Sequence, residues 1–378
     1  MFLLFDGNRF WTQCLFRALA EQHGVGWFEL RDWLNALSAG WSLRAGPDAR
    51  WQGETGRRLW RRRIEMPPGW AHRLRPFTMG YLALQAQSAP LDWDVLVVVY
   101  PFYLPLARRL RARRLVYYCL DDYRLYRPAR ARHVGAEEDE LVRLADHTVC
   151  ISCHRQSDLM RRVPEAQQRI HHIPLGVSED FLAAESDPSP REMLWQDGPI
   201  RRPTVGYVGT LGDRVDWRLV HAVAREAGEW SFVFVGRSPA GPEPSAGGRR
   251  PDWFRHFQAA ISLPNVRLPG PVPQADVGRA NQSFDVCWMP YATDHEFNRA
   301  SCPTKIMDYL AGGRPVVATP LPECGLHSDV ISVVRDPAGM TAALAAALED
   351  TSDRRRNRLS WARDHTWARQ AEAFTGLL

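Results

Sequence analysis

The sequence predicts an α/β protein of two Rossmann-like domains, each on a parallel sheet, and three observations carry that prediction. A short apolar run (residues 2–5), a turn at Asp6-Gly7-Asn8, a helix to about His23 and a second apolar run (25–30) follow one another at the start of the chain. That is the order of a βαβ unit. The same order returns at Thr204–Val208, the loop Gly209-Thr210-Leu211-Gly212-Asp213, a helix over 216–227 and the run Ser231–Val235, which ends in Gly236-Arg237. Between the two, residues 185–203 hold Pro188, Pro190, Gly198 and Pro203 and read as a linker. At 378 residues the chain exceeds one ordinary core. The expected division is an N-terminal domain 1–184, a linker 185–203, a C-terminal domain 204–352 and a closing helical segment 353–378 that packs back on the first domain.

In the first half, residues 38–69 show no sustained periodicity and receive no assignment. A helix is expected over 71–88, a buried strand over 94–100 (DVLVVVY), a basic helix over 104–113 and a strand over 115–120 (LVYYCL). That last strand delivers Asp121-Asp122-Tyr123 to the sheet edge where α/β proteins bind ligands. Asp122 is therefore a candidate to orient an acceptor hydroxyl or act as a base, or else to cap the helix that follows. A helix over 131–145, a strand over 147–152, a helix over 154–162 and a short strand over 169–174 complete the half. His171 and His172 are adjacent, so on a strand they point to opposite faces and do not share one metal. In the second half a flexible excursion is expected over 239–248, then a strand over 265–268, a helix over 273–281, a strand over 284–289, a strand over 330–334, a helix over 338–348 and a polar helix from about 353 to 374.

Hydrophobic residues at 45% and charged residues at 24% describe a globular protein. The apolar run at 2–5 lacks a basic leader, and the longest strongly apolar segment, 95–100, has the length of a strand, so a cytoplasmic protein is expected. Seven scattered cysteines make no disulfide framework; Cys150 and Cys153 have C-x-x-C spacing without a second pair, and strand-end packing is their ordinary role. The net charge of +5 is uneven: residues 1–184 hold 26 Arg against 20 acidic residues, the remainder 22 basic against 23 acidic. The excess concentrates in RRLWRRR (57–63) and RRLRARR (108–114). Such runs face anionic lipid or an acidic acceptor, or simply solvent. No recognition motif accompanies them, so nucleic acid is not the expected partner.

The most informative stretch is SCPTKIMDYLAGGRPVVATPLPE, residues 301–323. Pro303 belongs to a helix start and Gly312-Gly313 to its end, followed by a buried strand over 315–318. The helix N-terminus, with Pro303 and Thr304, exposes backbone N–H groups to an anion, and Lys305 adds a full charge there. Asp308, one turn on, accepts hydrogen bonds from sugar hydroxyls. Phosphate plus ribose describes a nucleotide. Of the 48 basic residues, Lys305 is the single lysine. A compact ammonium with rotatable donors is thus retained where a planar guanidinium would not serve.

This stretch resembles the donor-binding segment of the GT-B glycosyltransferases of family 4, with Pro303, Lys305, Tyr309, Leu310, Ala311, Gly313, Pro315, Val316, Val317, Ala318, Thr319, Pro322 and Glu323 in the family pattern and Asp308 where the family usually has Glu. The run 264–291 is similar to the segment that precedes the donor loop in that family, and residues 173–181 to the segment that closes its first domain, with Leu175 and Ser178 as departures. The resemblance implies two Rossmann-like domains facing across a cleft, a last helix that crosses back, a nucleotide-sugar in the second domain and a saccharide or lipid-linked acceptor in the first. It also implies retention of anomeric configuration. The turn ending in Pro269 and Gly270 would then lie by the nucleotide base. Arg214, shortly after the glycine loop, is the nearest match to the basic residue the family carries there.

The donor candidates are accordingly Gly209, Thr210, Gly212, Gly236, Arg237, Pro269, Gly270, Pro303, Thr304, Lys305 and Asp308, and the catalytic candidates Lys305, Asp122 and Arg214. Arg299 is a further cation, and Glu296 and Glu323 are candidate sugar contacts at turns, where carboxylates are usually exposed. No D-x-D motif stands in a metal-binding setting, since Asp92-Trp93-Asp94 precedes a strand, so no metal and no cofactor beyond the substrate nucleotide-sugar are expected. Three readings compete: a sugar transferase with its basic half near a membrane, a sugar-nucleotide isomerase on the same plan, and a catalytically silent binding protein.

Overall fold

The short apolar runs become parallel strands, because a run buried on both faces has no polar side to turn to solvent. A computed structural model describes residues 1–5, 10–32, 51–54, 56–67, 69–70, 73–90, 92–110, 112–183, 200–239, 251–334 and 337–378. The chain divides into two units, Met1–Gly176 with Trp367–Leu378, and Val177–Thr366. The expected loop at 6–9, and most of the expected linker and of the 239–248 excursion, lie outside the described residues.

The first unit holds β1 (Phe2–Phe5), β2 (Val25–Asp32), β3 (Gln52–Gly53), β4 (Leu59–Met66), β5 (Val95–Val98), β6 (Arg114–Cys119), β7 (His147–Cys150) and β8 (Ile170–His172). They form one sheet in the order β3-β4-β2-β1-β5-β6-β7-β8, parallel except for the β3–β4 pair. The chain builds outward from β1 to one side, then returns through β5 and builds to the other. Connections leaving β1 and β5 therefore diverge, which opens a crevice at their carboxyl ends. Leu3, Phe28, Leu96 and Val97 are fully buried in the core.

The second unit holds β9 (Thr204–Val208), β10 (Ser231–Val235), β11 (Val266–Gly270), β12 (Val286–Met289), β13 (Val316–Ala318) and β14 (Ser332–Val333). Their order is β11-β10-β9-β12-β13-β14, all parallel, and the reversal falls between β9 and β12. This unit repeats the plan of the first.

Two local readings are corrected. The unassigned residues 38–69 contain β3 and β4. The β4 strand was hidden by its arginines: Arg61 and Arg63 flank the buried Glu29 of β2 at 3.8 and 3.4 Å, and the Arg61 guanidinium lies 5.8 Å from the Trp27 ring. Part of the RRLWRRR run is thus charge compensation within the sheet. The single closing helix expected from 353 to 374 is two helices, Ser352–Asp364 and Trp367–Thr375, one in each unit. The chain is not helical across the break: the His365 ring stacks on Trp361 at 3.8 Å and Thr366 pairs with Val177 as an isolated bridge. The last helix packs along the helix Phe10–Leu19, and Phe374 reaches Phe2 and Tyr118 at 6.3 and 6.0 Å. Gly176 permits that approach, since a Cβ there would stand 2.6 Å from Trp367 Cδ2.

Beneath the carboxyl end of β6 lies a buried ion network. Arg155, fully buried on the helix Cys153–Arg162, donates to Glu138 at 2.7 Å and to Asp158 at 2.6 Å. Arg162 and the Tyr117 hydroxyl, both at 2.8 Å, complete the Glu138 carboxylate. Arg124 donates to Asp122 and Asp158 at 2.6 and 2.7 Å. Burial alone would raise both aspartates, but Arg124 and Arg155 hold Asp122, and Arg155, Arg124 and Arg162 hold Asp158, below the usual carboxylate range. Their folded values are depressed, so the stability they add is present above about pH 4 and is lost as pH falls through the folded values. Arg155→Met leaves buried carboxylates uncompensated. It should cost about 3–5 kcal/mol in urea unfolding at pH 7, and the gap to wild type should narrow below about pH 4.

Candidate functional site

The helix Thr304–Ala311 is seated by apolar Ile306, Met307 and Leu310 and by the buried Tyr309, whose hydroxyl accepts the Val208 N–H at 3.0 Å. Gly313, with φ of 66°, turns the chain into β13. Pro303 is the N-cap rather than a first-turn residue, and no side chain caps the helix. Its first amides therefore have no side-chain acceptor.

Lys305 sits at the reversal of strand order between β9 and β12. Its Nζ lies 4.8 Å from the Tyr207 ring centroid, at the end of β9, and 5.5 Å from that of Tyr291, just after β12. A Cβ at Gly209 would stand 2.6 Å from the same nitrogen, so the ammonium rests on bare backbone. Burial works against the charge, yet the phenol oxygens of Tyr207 and Tyr291 outweigh it and hold the lysine pKa above its ordinary value. Among the described residues no carboxylate forms an ion pair with it.

Three strand ends beside it carry glycine. Gly209, Gly236 and Gly270 follow or end β9, β10 and β11; the Gly236 N–H donates to Gly270 O at 3.1 Å, and a Cβ at Gly236 would overlap the Gly209 carbonyl at 1.8 Å. Gly236 (φ 157°) and Gly270 (φ 89°) hold angles that disfavour a side chain. Thr210 and Arg237 are exposed on the same edge, and Leu211 N–H donates to Arg237 O at 3.4 Å. Gly212 O takes the Trp217 indole N–H at 2.9 Å. Pro269 lies on β11 beside Gly270.

Arg214 faces the Tyr291 ring at 5.8 Å and is aimed by two groups, Asn298 Oδ1 at 2.7 Å and Ser301 Oγ at 3.1 Å. Asn298 is fully buried and also donates to Arg214 O and Ala292 O. Thr319 donates to Tyr291 O at 2.8 Å and fixes that turn. Sequence reasoning missed Tyr207, Tyr291 and Asn298, because what places them here, Tyr207 against Lys305 and Asn298 and Tyr291 against Arg214, joins segments far apart in the chain. Glu323, expected at an exposed turn, is buried, whereas Glu296 is exposed.

Asp308 is half-buried one turn beyond Lys305. Burial pushes its carboxyl up to about 7 against the pull of Lys305. Near neutral pH it both donates to and accepts from hydroxyl groups.

Asp122 lies in the first unit, with both carboxylate oxygens engaged by guanidinium groups. A carboxylate so held is a weak proton acceptor, and Asp122 Oδ1 also accepts the Arg124 N–H at 3.1 Å. Asp94, of the D-x-D sequence, holds the N-terminal ammonium at 2.8 Å. The first unit has its own cavity of about 510 Å³ past the carboxyl ends of β5 and β6, walled by Tyr100, Phe102, Tyr123 and Tyr126 with Arg127 and His133 at its side. Tyr100 and Phe102 stack at 5.2 Å, and Arg75 holds Phe102 O at 3.0 Å. No spacing in the sequence marks this cavity, since its aromatics come from two separate loops.

Two Rossmann-like units, a glycine-edged crevice and a terminal helix returned to the first unit define the GT-B class. Residues 202–350 match the family of glycosyl transferases group 1. The match falls within the second unit. It is 25% identical over 194 residues to a Bacillus subtilis (strain 168) protein described as the teichuronic acid biosynthesis glycosyltransferase TuaH, a match spanning 51% of this chain and 45% of that protein, so less than half of the relative's length is covered. Among solved structures, the sucrose-phosphate synthase of Thermosynechococcus elongatus superposes with a TM-score of 0.72 at 18% identity, covering 100% of this chain and 97% of that one. The UDP-forming α,α-trehalose-phosphate synthase of Burkholderia xenovorans gives 0.68 at 14% identity, covering 100% and 98%. Anabaena HepE, in complex with UDP and glucose, gives 0.65 at 14% identity, covering 99% and 98%. These likenesses carry the fold.

The raised Asp308 carboxyl has a consequence for stability. A folded value of about 7 lies above the unfolded value, so the contribution is fully present below about pH 4 and is lost as pH rises through 7. Thermal unfolding followed between those limits should show a wild-type decline that Asp308→Asn flattens.

Proposed function

We propose that the protein moves a sugar from a nucleotide-sugar donor to a hydroxyl of a saccharide or lipid-linked acceptor, with retention of configuration and without a divalent cation. The observation that carries this reading is the Lys305 ammonium resting on Gly209 at the β9/β12 reversal, beside the uncapped Thr304–Ala311 helix. Breaking the bond between the sugar C1 and the donor phosphate leaves a nucleoside diphosphate, and negative charge grows on the leaving oxygen. Lys305, the helix amides and Arg214 are the groups that neutralise it. The glycine edge lets backbone approach the diphosphate, and Asp308 takes the ribose hydroxyls across a reach one methylene shorter than a glutamate would have.

The cavity of the first unit suits the acceptor. Its aromatic walls stack against a pyranose ring, and its cations favour an acceptor that carries negative charge. The likeness to a protein named for teichuronic acid biosynthesis supports a polysaccharide product, and the basic first half supports work at the cytoplasmic face of an anionic membrane. The complex of HepE with UDP and glucose makes UDP the first nucleotide to test. A silent binding protein would have no need of a lysine packed on glycine, or of Asn298 and Ser301 to aim an arginine beside it.

Calorimetry with UDP, GDP, ADP and dTDP, first without metal and then with Mg²⁺, tests the reading. One nucleotide should bind without metal, and Lys305→Ala should weaken it by about 1.5–3 kcal/mol. Absence of binding by all four defeats the transferase reading and leaves the silent protein in its place.

A further inference from the structure

The helix Arg75–Gln87 of the first unit carries apolar residues on both of its faces. Thr78, Met79, Leu82 and Ala86 are buried. On the opposite side Phe77 is 79% exposed, Leu84 64% and Tyr81 46%, and Leu74 continues the row at 38%. These positions fall within one narrow stripe of a 3.6-residue period. Arg75 is the helix's one ionisable side chain, Tyr81 apart, and it turns inward to Phe102 O and Glu137. A helix that meets only water normally presents charge on its outer face. This one presents a phenylalanine, a tyrosine and a leucine, and single exposed apolar residues are common whereas an aligned row is not.

Cations frame the row. Gly80 stands between Phe77 and Leu84, and a Cβ there would be 3.3 Å from Nη1 of Arg109, which reaches over from the helix Leu104–Leu110. Arg73 is exposed before the helix, and Arg62 donates to Ser88 Oγ at 2.6 Å just after it. No acidic residue occurs from 73 to 90. Among the described residues no helix is long and apolar enough to cross a membrane, and this one, with 13 residues, is too short to span.

We propose that this face lies in the surface of an anionic bilayer. Phe77, Tyr81 and Leu84 enter the boundary between headgroups and acyl chains, and Arg109, Arg73 and Arg62 meet the lipid phosphates. Arginine suits the place, since its methylenes cover apolar surface while its guanidinium stays at headgroup level. A protein partner would be met equally well by the apolar row but would not call for guanidinium groups at both ends and across its middle. The same helix supplies Arg75 to the aromatic cavity, so docking brings that cavity to the level at which a lipid-linked saccharide would project. The surface stands independently of the donor site, and only the identity of the acceptor rests on the transferase reading.

The test is co-sedimentation of the full chain with vesicles of phosphatidylcholine alone and of phosphatidylcholine with phosphatidylglycerol. Wild type should sediment with the anionic vesicles, release at high salt and leave the neutral ones largely unbound. Phe77→Ser with Leu84→Ser should lower the partition about tenfold or more, with melting temperature and UDP affinity unchanged, because both side chains are exposed. Arg109→Ala should weaken binding to anionic vesicles selectively. Failure of wild type to bind either vesicle overturns the proposal, as does a doubly substituted chain that sediments like wild type. A wild-type dimer in ultracentrifugation that the double substitution converts to monomers, without vesicle binding, overturns it in favour of a second copy. Absence of binding by all four nucleotides, with vesicle binding intact, would defeat the transferase reading and leave this surface standing.

Discussion

The second unit is arranged around one close approach, an ammonium against a glycine backbone. Lys305 reaches the β9 edge only because residue 209 has no side chain, and residue 209 reaches its place only because Gly236 leaves room for its carbonyl. The helix that carries Lys305 is tied to the same strand by the Tyr309 hydroxyl on the Val208 amide. Three strand ends, one helix and two aromatic rings are thereby held to a tolerance of a few tenths of an ångström, since packed interiors yield little. The cost is a half-buried cation, and the rings and phenol oxygens of Tyr207 and Tyr291 offset it.

Arginine serves a different purpose across the rest of the chain. Arg155 and Arg162 satisfy Glu138 in the first unit, Arg61 and Arg63 flank Glu29, and in the second unit Arg358 donates to Gly313 O, past the end of the Lys305 helix, at 3.1 Å. In each case a planar guanidinium with several donors closes a carboxylate or carbonyl that burial would otherwise leave costly. Several arginines of the first half are therefore structural. Others stand beside the aromatic cavity, as Arg127 does, or near the apolar row of the Arg75–Gln87 helix, as Arg109 does.

The two units place their chemistry by the same rule. Each sheet reverses its strand order once, between β1 and β5 in the first and between β9 and β12 in the second, and connections diverge at each reversal. In the second unit that point is polar and cationic. In the first, the cavity just past β5 and β6 is aromatic. A sheet plan repeated by one chain thus yields two crevices of unlike chemistry, through loops alone.

The alternation of apolar runs, glycine turns and helices was enough to establish two parallel sheets, because buried strands and helix ends each have a local chemical signature. The place of Lys305 in the first turn of a helix was legible too, through Pro303 and Gly312-Gly313. Local pattern failed where pairing is between distant segments. The β4 strand was obscured by arginines whose partner Glu29 lies on another strand; the final helix was read as one because nothing in its sequence marks the passage from one unit to the other. The rings of Tyr207 and Tyr291 beside Lys305, Asn298 against Arg214, and the guanidinium groups on Asp122 went unseen for the same reason. Sequence determines which groups a segment offers, but whether a carboxylate is open to a substrate or closed by a guanidinium depends on contacts between residues far apart in the chain, and those exist only once the sheet order is in place.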